Sequence, residues 1–234
     1  MRLLSSDLPG MTPGAAADDA LLRQLYSFPE AGAVRSNFVA TLDGAGTGAD
    51  GLTGSINNAA DKVVFDLNRE LADVVVVGAA TLEAEGYGPS AGTKPLVGLS
   101  TRCLIPRGWL SEPVQQGLAI LVTVEGAEPK RLAQARELLG EEHVWTVGAG
   151  QVDVAQVLVR LQQHGHRRIL TEGGPRVHAE LLRRGLIDEL ALTWVPQLVG
   201  GGGPRIAHGT DFTLDMRLRH LVESDGTLLG LWAR

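Results

Sequence analysis

The most continuous hydrophobic segment of the chain is a run of four valines at residues 74–77, bounded by Asp73 and Gly78. Successive side chains of a strand point to opposite faces. A run without alternation therefore predicts a strand buried on both faces, as in a parallel sheet that is covered by helices. Other apolar runs of strand length recur along the chain, at residues 34–42, 95–100, 117–124, 143–147, 167–172 and 188–195.

Segments with the helical spacing of apolar residues separate these runs. The clearest helix is predicted at residues 56–72, with a buried stripe of Ala60, Val63, Val64, Leu67 and Leu71. Further helices are predicted at residues 129–139, 152–163 and 175–184. Alternating strands and helices predict an α/β fold, a three-layer, mostly parallel mixed sheet flanked by helices on both faces.

The two ends of the chain depart from this alternation. Residues 1–33 are predicted to form an irregular arm with one short helix at 18–26, ahead of a single domain at residues 34–234. Near the C-terminus, two strand-like segments at about 212–223 and 227–233 surround an Asp-Gly pair. Asp-Gly between two such runs favours an antiparallel hairpin.

A glycine turn joins the predicted strand at 167–172 to the helix that follows it. Gly173 and Gly174 make the turn, Pro175 suits the first helical position, and Gly185 ends the helix. An open helix N-terminus after a buried strand presents free N–H groups and the positive end of the helix dipole, which favour a phosphate. An ordinary tight connection has the same pattern, so both interpretations stay open.

Other small or polar residues follow predicted strands, at the sheet edge where ligands of open α/β folds gather. Residues 78–81 form a second small-residue turn, and four glycines stand in a row at 200–203. Ser100 and Arg102 flank a threonine just past a strand, a pattern that suits either a phosphate monoester or a solvated loop. The glycine-rich loop at 43–55 either covers a ligand or is a plain connection.

Composition narrows the classes of function. In 234 residues, Lys and Arg total 21 and Asp and Glu total 27, which gives a net charge of −6. This acidic balance argues against a sequence-independent nucleic-acid binder, which needs a basic patch. No segment approaches the roughly 20 apolar residues of a membrane span. The single cysteine, Cys103, is predicted to be a core residue, and its lack of a partner fits a reducing cytoplasm.

Several catalytic motifs are absent from the sequence. There is no Gly-Lys-Ser/Thr segment of the P-loop, no Gly-x-Ser-x-Gly elbow and no His-Glu-x-x-His helix, and the six histidines are scattered. No metal site is therefore predicted. The remaining candidates for a ligand site are backbone groups, hydroxyls and a few charged side chains. Such a site suits a cofactor that carries its own chemistry, because the protein then supplies only binding and orientation.

Four segments resemble the reductase domain of the bifunctional riboflavin-biosynthesis deaminase/reductase. Residues 37–44 read Asn-Phe-Val-Ala-Thr-Leu-Asp-Gly and are similar to its first strand, and 77–81 are similar to its second motif. Residues 171–175 together with 186–190 resemble the third motif. The segment 196–203 resembles the closing glycine run, and all four occur in family order without the deaminase half.

The resemblance implies the dihydrofolate-reductase-like fold, NADPH as cofactor, and reduction of the ribosyl group of a phosphorylated aminopyrimidine to a ribityl group. It places substrate contacts at Thr53, Arg69 and Glu172, with Arg69 on the substrate phosphate and Glu172 as the catalytic residue near the nicotinamide. The resemblance, the small-residue turns and the Ser-Thr-Arg segment together give the predicted cofactor-binding residues. These are Val39, Ser55, Gly78, Thr81, Glu85, Ser100, Arg102, Gly173, Gly174, Pro175, Arg176, Val177, Gly201 and Gly202.

The chain also departs from the family pattern. A family tryptophan before the helix is replaced, with Ser55 near that place. The family's Asp-Pro-x-Leu-x-x-Arg segment reads Glu-Gly-Tyr-Gly-Pro at residues 85–89, which removes a substrate-binding arginine. The cofactor side is therefore better supported than the substrate side, and the substrate is either an aminopyrimidine or a pterin.

The leading hypothesis is hydride transfer from NADPH to the open-chain imine of a ribosylaminopyrimidine phosphate. One alternative is a dihydrofolate-reductase-like pterin reductase, in which Asp66 of the 56–72 helix bonds the pterin ring. Another is a catalytically idle module that binds NADPH. We also expect a cytoplasmic homodimer in which the C-terminal hairpin supplies an edge.

Overall fold

The computed structural model describes residues 1–87, 94–111, 118–209 and 211–234. Within these residues the strands are β1 (Arg2–Ser6), β2 (Ala33–Thr41), β3 (Val74–Gly78), β4 (Leu96–Leu99), β5 (Ala119–Thr123), β6 (Val144–Thr146), β7 (Arg168–Thr171), β8 (Glu189–Val195), β9 (Arg217–Ser224) and β10 (Thr227–Ala233). The helices are α1 (Asp19–Leu25), α2 (Ala59–Leu71), α3 (Ala79–Glu85), α4 (Gly108–Ser111), α5 (Pro129–Leu139), α6 (Val154–Gln163) and α7 (Gly174–Arg183).

The described strands form one mixed sheet in the order β1-β9-β10-β8-β2-β7-β3-β4-β5-β6. The pairs from β8 to β6 are parallel, and the pairs among β1, β9, β10 and β8 are antiparallel. The predicted fold class, a mostly parallel mixed sheet with a C-terminal antiparallel hairpin, is confirmed. This arrangement brings the carboxyl ends of β2, β3, β4 and β7 to one edge of the sheet.

Strand β3 shows why the sheet needs helices on both faces. Val74 and Val76 pack in a cluster with residues of α6 and α7, whereas Val75 and Val77 pack in a second cluster with residues of α3 and α5. All four valines are buried. A third cluster joins α1 and α2 to β1 and the strands β8–β10.

The N-terminal segment differs from its prediction. It contains β1, which pairs with β9 from Arg2 to Ser6, so these residues are not irregular. Only Leu3 of this strand is fully buried, and a single core residue leaves little hydrophobic pattern for a sequence to show. The predicted short helix at 18–26 is confirmed as α1, which Asp18 caps. The division into an arm at 1–33 and a domain at 34–234 stays a prediction.

The C-terminal hairpin is confirmed, but its limits and its place in the sheet differ from the expectation. Strand β9 begins at Arg217, so residues 212–216 lie outside it. Strand β9 lies between β1 and β10, and the sheet ends at β1 and β6. The hairpin therefore supplies no free edge within the described part of the chain, because β1 already occupies its outer side.

Helix α2 is shorter than predicted and buries a different face. It begins after Asn58, whose side chain accepts a hydrogen bond from the Asp61 amide. The predicted stripe included Val63, which is 41% exposed, whereas Asp61 and Asn68 are buried beside Val64. The buried face therefore differs from the predicted apolar stripe. Polar groups of the sheet stabilise the two buried polar residues, since Thr193 hydrogen-bonds to Asp61 and Arg35 donates to Asn68.

Helix α7 ends in the glycine-terminated form that its sequence predicts. Gly185 has a φ of +63°, and its amide donates to the Leu182 carbonyl. The Leu186 amide donates to the Leu181 carbonyl, which completes a Schellman-type end. Among the described helices, none combines the length and the apolar character that crossing a bilayer requires.

Candidate functional site

A cleft of about 1050 Å³ opens at the carboxyl ends of β3, β4 and β7. Open α/β sheets bind their ligands at this edge. The cleft brings together many of the predicted cofactor-binding residues, namely Gly78, Thr81, Ser100, Arg102, Gly173, Gly174, Pro175, Arg176 and Val177. These come from three separate parts of the sequence, so the sheet topology is what assembles them.

Two small-residue turns form the floor of the cleft. A Cβ on Gly78 would lie 3.2 Å from the Gly173 carbonyl oxygen, and a Cβ on Gly174 would lie 2.5 Å from Thr81 Oγ1. Gly174 also has a φ of +71°, a conformation that side chains with a Cβ rarely adopt. The turn after β3 and the turn after β7 therefore touch each other only because these positions are glycine.

The N-terminus of α7 points its positive end at the cleft. Its capping residue is Gly173, and no side chain makes a capping hydrogen bond. Pro175 occupies the first turn, where a missing N–H costs nothing. Uncapped amides at a helix start attract an anion through hydrogen bonds and through the helix dipole. This end of the cleft is suited to a phosphate.

The Ser-Thr-Arg segment also lines the cleft. Ser100 is buried, and its hydroxyl oxygen accepts a hydrogen bond from the Leu104 amide at 2.8 Å. The Arg102 side chain is exposed and forms no ion pair within the described residues, while its carbonyl accepts from Arg131. The loop is therefore fixed by its own hydrogen bonds, and the Arg102 guanidinium is free for a ligand.

Arg69 and Glu172, two predicted substrate-site residues, contact each other. Arg69 Nε donates to Glu172 Oε1 at 2.8 Å, and Arg69 Nη2 donates to Oε2 at 2.6 Å. The Arg69 guanidinium also stacks on the rings of Phe65 and Tyr87, at 4.4 and 4.7 Å from their centres. Burial raises the pKa of Glu172 above its ordinary value, although the Arg69 charge opposes this shift.

The other predicted substrate residues lie apart from that pair. Thr53, a predicted substrate contact, donates hydrogen bonds from its amide and its hydroxyl to Glu85, a predicted cofactor contact. Asp66 is 57% exposed and pairs with Lys62 one turn away. The role of Asp66 in binding a pterin ring stays a prediction, and its carboxylate already has the Lys62 cation as a partner.

The remaining predicted cofactor residues do not line the cleft. Val39 is buried against Ile56 and Val195. Ser55 hydrogen-bonds within its own loop, to Asp50 and to the Leu52 carbonyl. Gly201 and Gly202 lie in an exposed turn with no heavy atom near their Cβ positions. Gly88 and Pro89, where the family segment is altered, lie outside the described residues.

Asp43 and His178 hold the loop 199–209 beside the cleft, a role that the sequence did not reveal. The Asp43 carboxylate accepts from the Gly200 amide at 2.7 Å. His178 Nδ1 lies 2.9 Å from the Ile206 carbonyl and Nε2 lies 3.1 Å from Ser36 Oγ. Because a carbonyl only accepts, Nδ1 carries the proton. Burial lowers the pKa of His178 to about 4, so the ring is neutral.

Two further residues near the Arg69 pair were also missed. Tyr87 is mostly buried, and burial together with the Glu172 charge raises the pKa of its hydroxyl. Asp61 lies in the first turn of α2 and is buried. Asp61 lies outside the predicted apolar stripe of α2, so the sequence provides no signal for its burial. The described residues contain no group of three or more His, Cys, Asp or Glu that would hold a metal ion.

Comparison with solved structures shows the same fold elsewhere. A pyrimidine reductase-like protein from Corynebacterium diphtheriae superimposes with a TM-score of 0.77 over 91% of this chain and 97% of its own, at 20% identity. A Thermotoga maritima diaminohydroxyphosphoribosylaminopyrimidine deaminase/5-amino-6-(5-phosphoribosylamino)uracil reductase superimposes with a TM-score of 0.63 at 19% identity, over 87% of this chain and 57% of its own.

Sequence comparison identifies relatives and a family. A protein from Aquifex aeolicus, named 2,5-diamino-6-ribosylamino-4(3H)-pyrimidinone 5′-phosphate reductase, is 29% identical over 161 residues, which cover 65% of this chain and 70% of that protein. The model of the RibD C-terminal domain matches residues 33–229. Since that match spans most of the sequence, including every strand of the parallel part of the sheet, this chain belongs to the RibD C-terminal domain family.

Proposed function

We propose that this chain is an NADPH-dependent reductase of a phosphorylated ribosylaminopyrimidine, which converts the ribosyl group to a ribityl group as in riboflavin biosynthesis. The observation that carries the proposal is the cleft at the start of α7, together with Glu172, which directly precedes the lining residue Gly173 and pairs with Arg69 of α2. Membership of the RibD C-terminal domain family supports the reaction class.

The donors that line the cleft fit a dinucleotide cofactor. The uncapped start of α7, the hydroxyls of Ser100 and Thr101, and the guanidinium groups of Arg102 and Arg176 are all suited to phosphate oxygens. We assign the α7 end to the bridging phosphates and the Arg102 side to the 2′-phosphate that distinguishes NADPH from NADH. When bound, the nicotinamide supplies the hydride, so the protein provides binding and orientation.

Arg69 and Glu172 are assigned to the substrate. Within the described residues the ion pair uses Arg69 Nε and Nη2, which leaves Nη1 for the substrate phosphate. Glu172 is buried, and its raised pKa makes it a better proton holder than an exposed glutamate. In the proposed reaction the acceptor carbon gains the hydride, and the imine nitrogen gains a proton from Glu172 or from water.

The alternatives have weaker support. In the pterin reductase hypothesis Asp66 bonds the ring, but Asp66 is exposed and paired with Lys62. An idle cofactor-binding module was suggested by the altered segment at 85–89, part of which is not described. The ion pair of Arg69 with the buried Glu172 supports a working substrate site.

Two measurements test the function. A thermal shift with NADPH, NADH or no ligand, each at about 1 mM, detects cofactor binding, because a ligand at 100 times its Kd adds about 2.7 kcal/mol. NADPH oxidation is then followed with the phosphorylated ribosylaminopyrimidine and, separately, with dihydrofolate. Turnover of the aminopyrimidine supports the proposal. No shift with either nucleotide would refute it, turnover of dihydrofolate alone would favour the pterin reductase, and binding without turnover would favour the idle module.

We also propose that the protein is a cytoplasmic homodimer. The single cysteine supports a reducing compartment. The edge strands β1 and β6, rather than the hairpin, are the available sheet edges among the described residues. Sedimentation equilibrium measures the mass directly, and a monomer at micromolar concentration would contradict the dimer.

A further inference from the structure

His208 lines the cleft with a side chain that has no partner. It belongs to the loop 199–209, is exposed, and borders the same cleft as Gly174, Pro175 and Arg176. Its amide donates to the Pro175 carbonyl at 3.1 Å, which places the residue against the first turn of α7. Among the residues that the structure describes, no group hydrogen-bonds, pairs or stacks with the imidazole.

The backbone that carries His208 is held in place by its neighbours. The Ile206 carbonyl accepts a hydrogen bond from Nδ1 of the buried His178 at 2.9 Å. Ala207 packs against the core cluster that contains residues of α6 and α7. With the hydrogen bond to Pro175, these contacts fix three consecutive residues beside the start of α7. The fold therefore presents the imidazole at a defined position, although the imidazole itself holds no part of the loop.

The charged groups around His208 are mostly cationic. They come from α3, from the segment after β4, from α7 and from the loop of His208 itself, and they are Glu83, Arg102, Arg107, Arg176 and Arg205. Arg107 pairs with Glu83, and within the described part of the chain the other three arginines form no ion pair. An anion bound among these cations favours the protonated form of a neighbouring imidazole. By linkage, the protonated imidazole favours the anion by the same factor.

We propose that His208 is a cofactor-binding residue, whose imidazole donates to the bridging phosphates at the start of α7 and whose protonation strengthens this contact as the pH falls from 8 to 6. The inference rests on the proposed function and adds a residue to its cofactor site. Histidine is the side chain whose charge ordinarily changes between pH 5 and 8. A charged donor makes a hydrogen bond roughly twice as strong as a neutral donor does.

The cofactor has a titration of its own that acts in the opposite direction. A phosphate monoester such as the 2′-phosphate of NADPH loses negative charge as the pH falls through about 6, whereas the bridging phosphates stay ionised. The 2′-phosphate is therefore bound less strongly at low pH. This effect is the same for every variant of His208, so a comparison between variants cancels it.

The experiment measures the Kd for NADPH at pH 8 and at pH 6 by calorimetry on four proteins. They are the wild type, His208→Gln, His208→Lys and the control His164→Gln, which changes an exposed histidine at the end of α6. Glutamine keeps a neutral N–H donor that takes up no proton, and lysine is charged at both pH values. We expect the ratio of the Kd at pH 8 to the Kd at pH 6 to be about fivefold larger for the wild type than for His208→Gln.

Two further results are expected from the same proteins. His208→Lys should bind NADPH more tightly than the wild type at pH 8 and should show the pH ratio of His208→Gln, while His164→Gln should match the wild type. Titrations at pH 7 in buffers of different ionisation enthalpy count the protons exchanged on binding. The wild type should take up more protons than His208→Gln, by a fraction of one proton, and this count requires no turnover.

The outcomes separate the inference from the proposed function. Equal pH ratios and equal proton counts in the wild type and His208→Gln would overturn the inference and leave the function standing. An equal loss of affinity at both pH values in His208→Gln, together with a lowered melting temperature, would also overturn it, because the residue then supports only the loop. The expected ratios without any oxidation of NADPH by an aminopyrimidine would support the inference and refute the function. A wild type that binds no NADPH would refute both.

Discussion

Arg69 of α2 and Glu172 at the end of β7 form a two-pronged ion pair, with nitrogen–oxygen distances of 2.8 and 2.6 Å. The Glu172 side chain is 4% exposed and that of Arg69 is 27% exposed. Glu172 directly precedes Gly173, the capping residue of α7. The pair therefore links the helix assigned to the substrate with the turn assigned to the cofactor.

The first prediction concerns the charge of Glu172. In Glu172→Gln the shape of the side chain is kept, but the proton holder and the counter-charge of Arg69 are lost. We expect kcat for the aminopyrimidine to fall about 100-fold, in the lower range for removal of a general acid, with a smaller change in the Kd for NADPH. Steady-state kinetics and a cofactor titration measure the two effects.

A structural role would give a different result for Glu172→Gln. If the glutamate only held Arg69 in place, the variant would lose substrate affinity through KM while kcat stayed near that of the wild type. Glu70→Gln, on the exposed side of the same helix, is the matched control and should retain the kinetics of the wild type.

The second prediction concerns Gly174. An alanine there meets Thr81 Oγ1 at 2.5 Å and must adopt a φ of +71°. The two turns must then separate, and the start of α7 moves from the position assigned to the phosphates. We expect Gly174→Ala to weaken NADPH binding at least about tenfold, since one displaced phosphate contact costs about 1.4 kcal/mol or more.

Calorimetric titration with NADPH tests the Gly174 prediction. Gly150→Ala is the control, because its backbone needs no positive φ and no heavy atom lies near its Cβ position. An unchanged Kd in Gly174→Ala, with Gly150→Ala also unchanged, would place the cofactor phosphates elsewhere.

The sequence predicts the parallel part of the sheet and the start of α7 because both depend on local patterns. The four valines of β3 need no distant partner to indicate a strand buried on both faces. Gly173, Gly174 and Pro175 likewise specify a turn and a helix start by their backbone preferences alone. The contact between this turn and Thr81 is set by the order of the strands, which the sequence does not display.

Residues whose burial depends on a distant partner are the ones that the sequence misses. Asp61 lies outside the predicted apolar stripe of α2, yet it is buried and hydrogen-bonds to Thr193 on β8. The sequence also fails to predict strand β1, because β1 pairs with β9, more than 200 positions away in the chain. Arg69 and Glu172 were assigned through the family resemblance, and their direct pairing required the structure.

The third prediction concerns pH and His178. Its pKa is lowered from 6.5 to about 4 by burial, so between these values the unfolded state takes up a proton that the folded state does not. The free energy of unfolding therefore falls as the pH drops through this window, by about 3 kcal/mol for this group. Burial also lowers the pKa of His220 to about 4, so it acts in the same direction.

Denaturant unfolding at pH 7 and pH 4 measures this effect. In His178→Asn, the difference in unfolding free energy between the two pH values should shrink by about 3 kcal/mol, whatever the variant does to stability at pH 7. The exposed His164 at the end of α6 supplies the control substitution His164→Asn. A pH dependence in His178→Asn equal to that of the wild type would show that the ring is not held neutral.

The last prediction separates the two nicotinamide cofactors. Arg102 is exposed at the rim of the cleft and makes no ion pair within the described residues, so its guanidinium is available for the 2′-phosphate of NADPH. NADH lacks that phosphate. We expect Arg102→Ala to weaken NADPH binding by about 10- to 100-fold, as for the loss of a charge-assisted contact, and to leave NADH binding unchanged.

Salt dependence gives this experiment an independent readout. Because the Arg102 contact is exposed, raising the ionic strength should weaken NADPH binding to the wild type more than to Arg102→Ala. Arg107→Ala, which removes an exposed arginine that pairs with Glu83 on the same cleft, distinguishes this contact from a general effect of positive charge. An equal loss of affinity for NADPH and NADH in Arg102→Ala would show that Arg102 maintains the structure of the cleft and does not bind the 2′-phosphate.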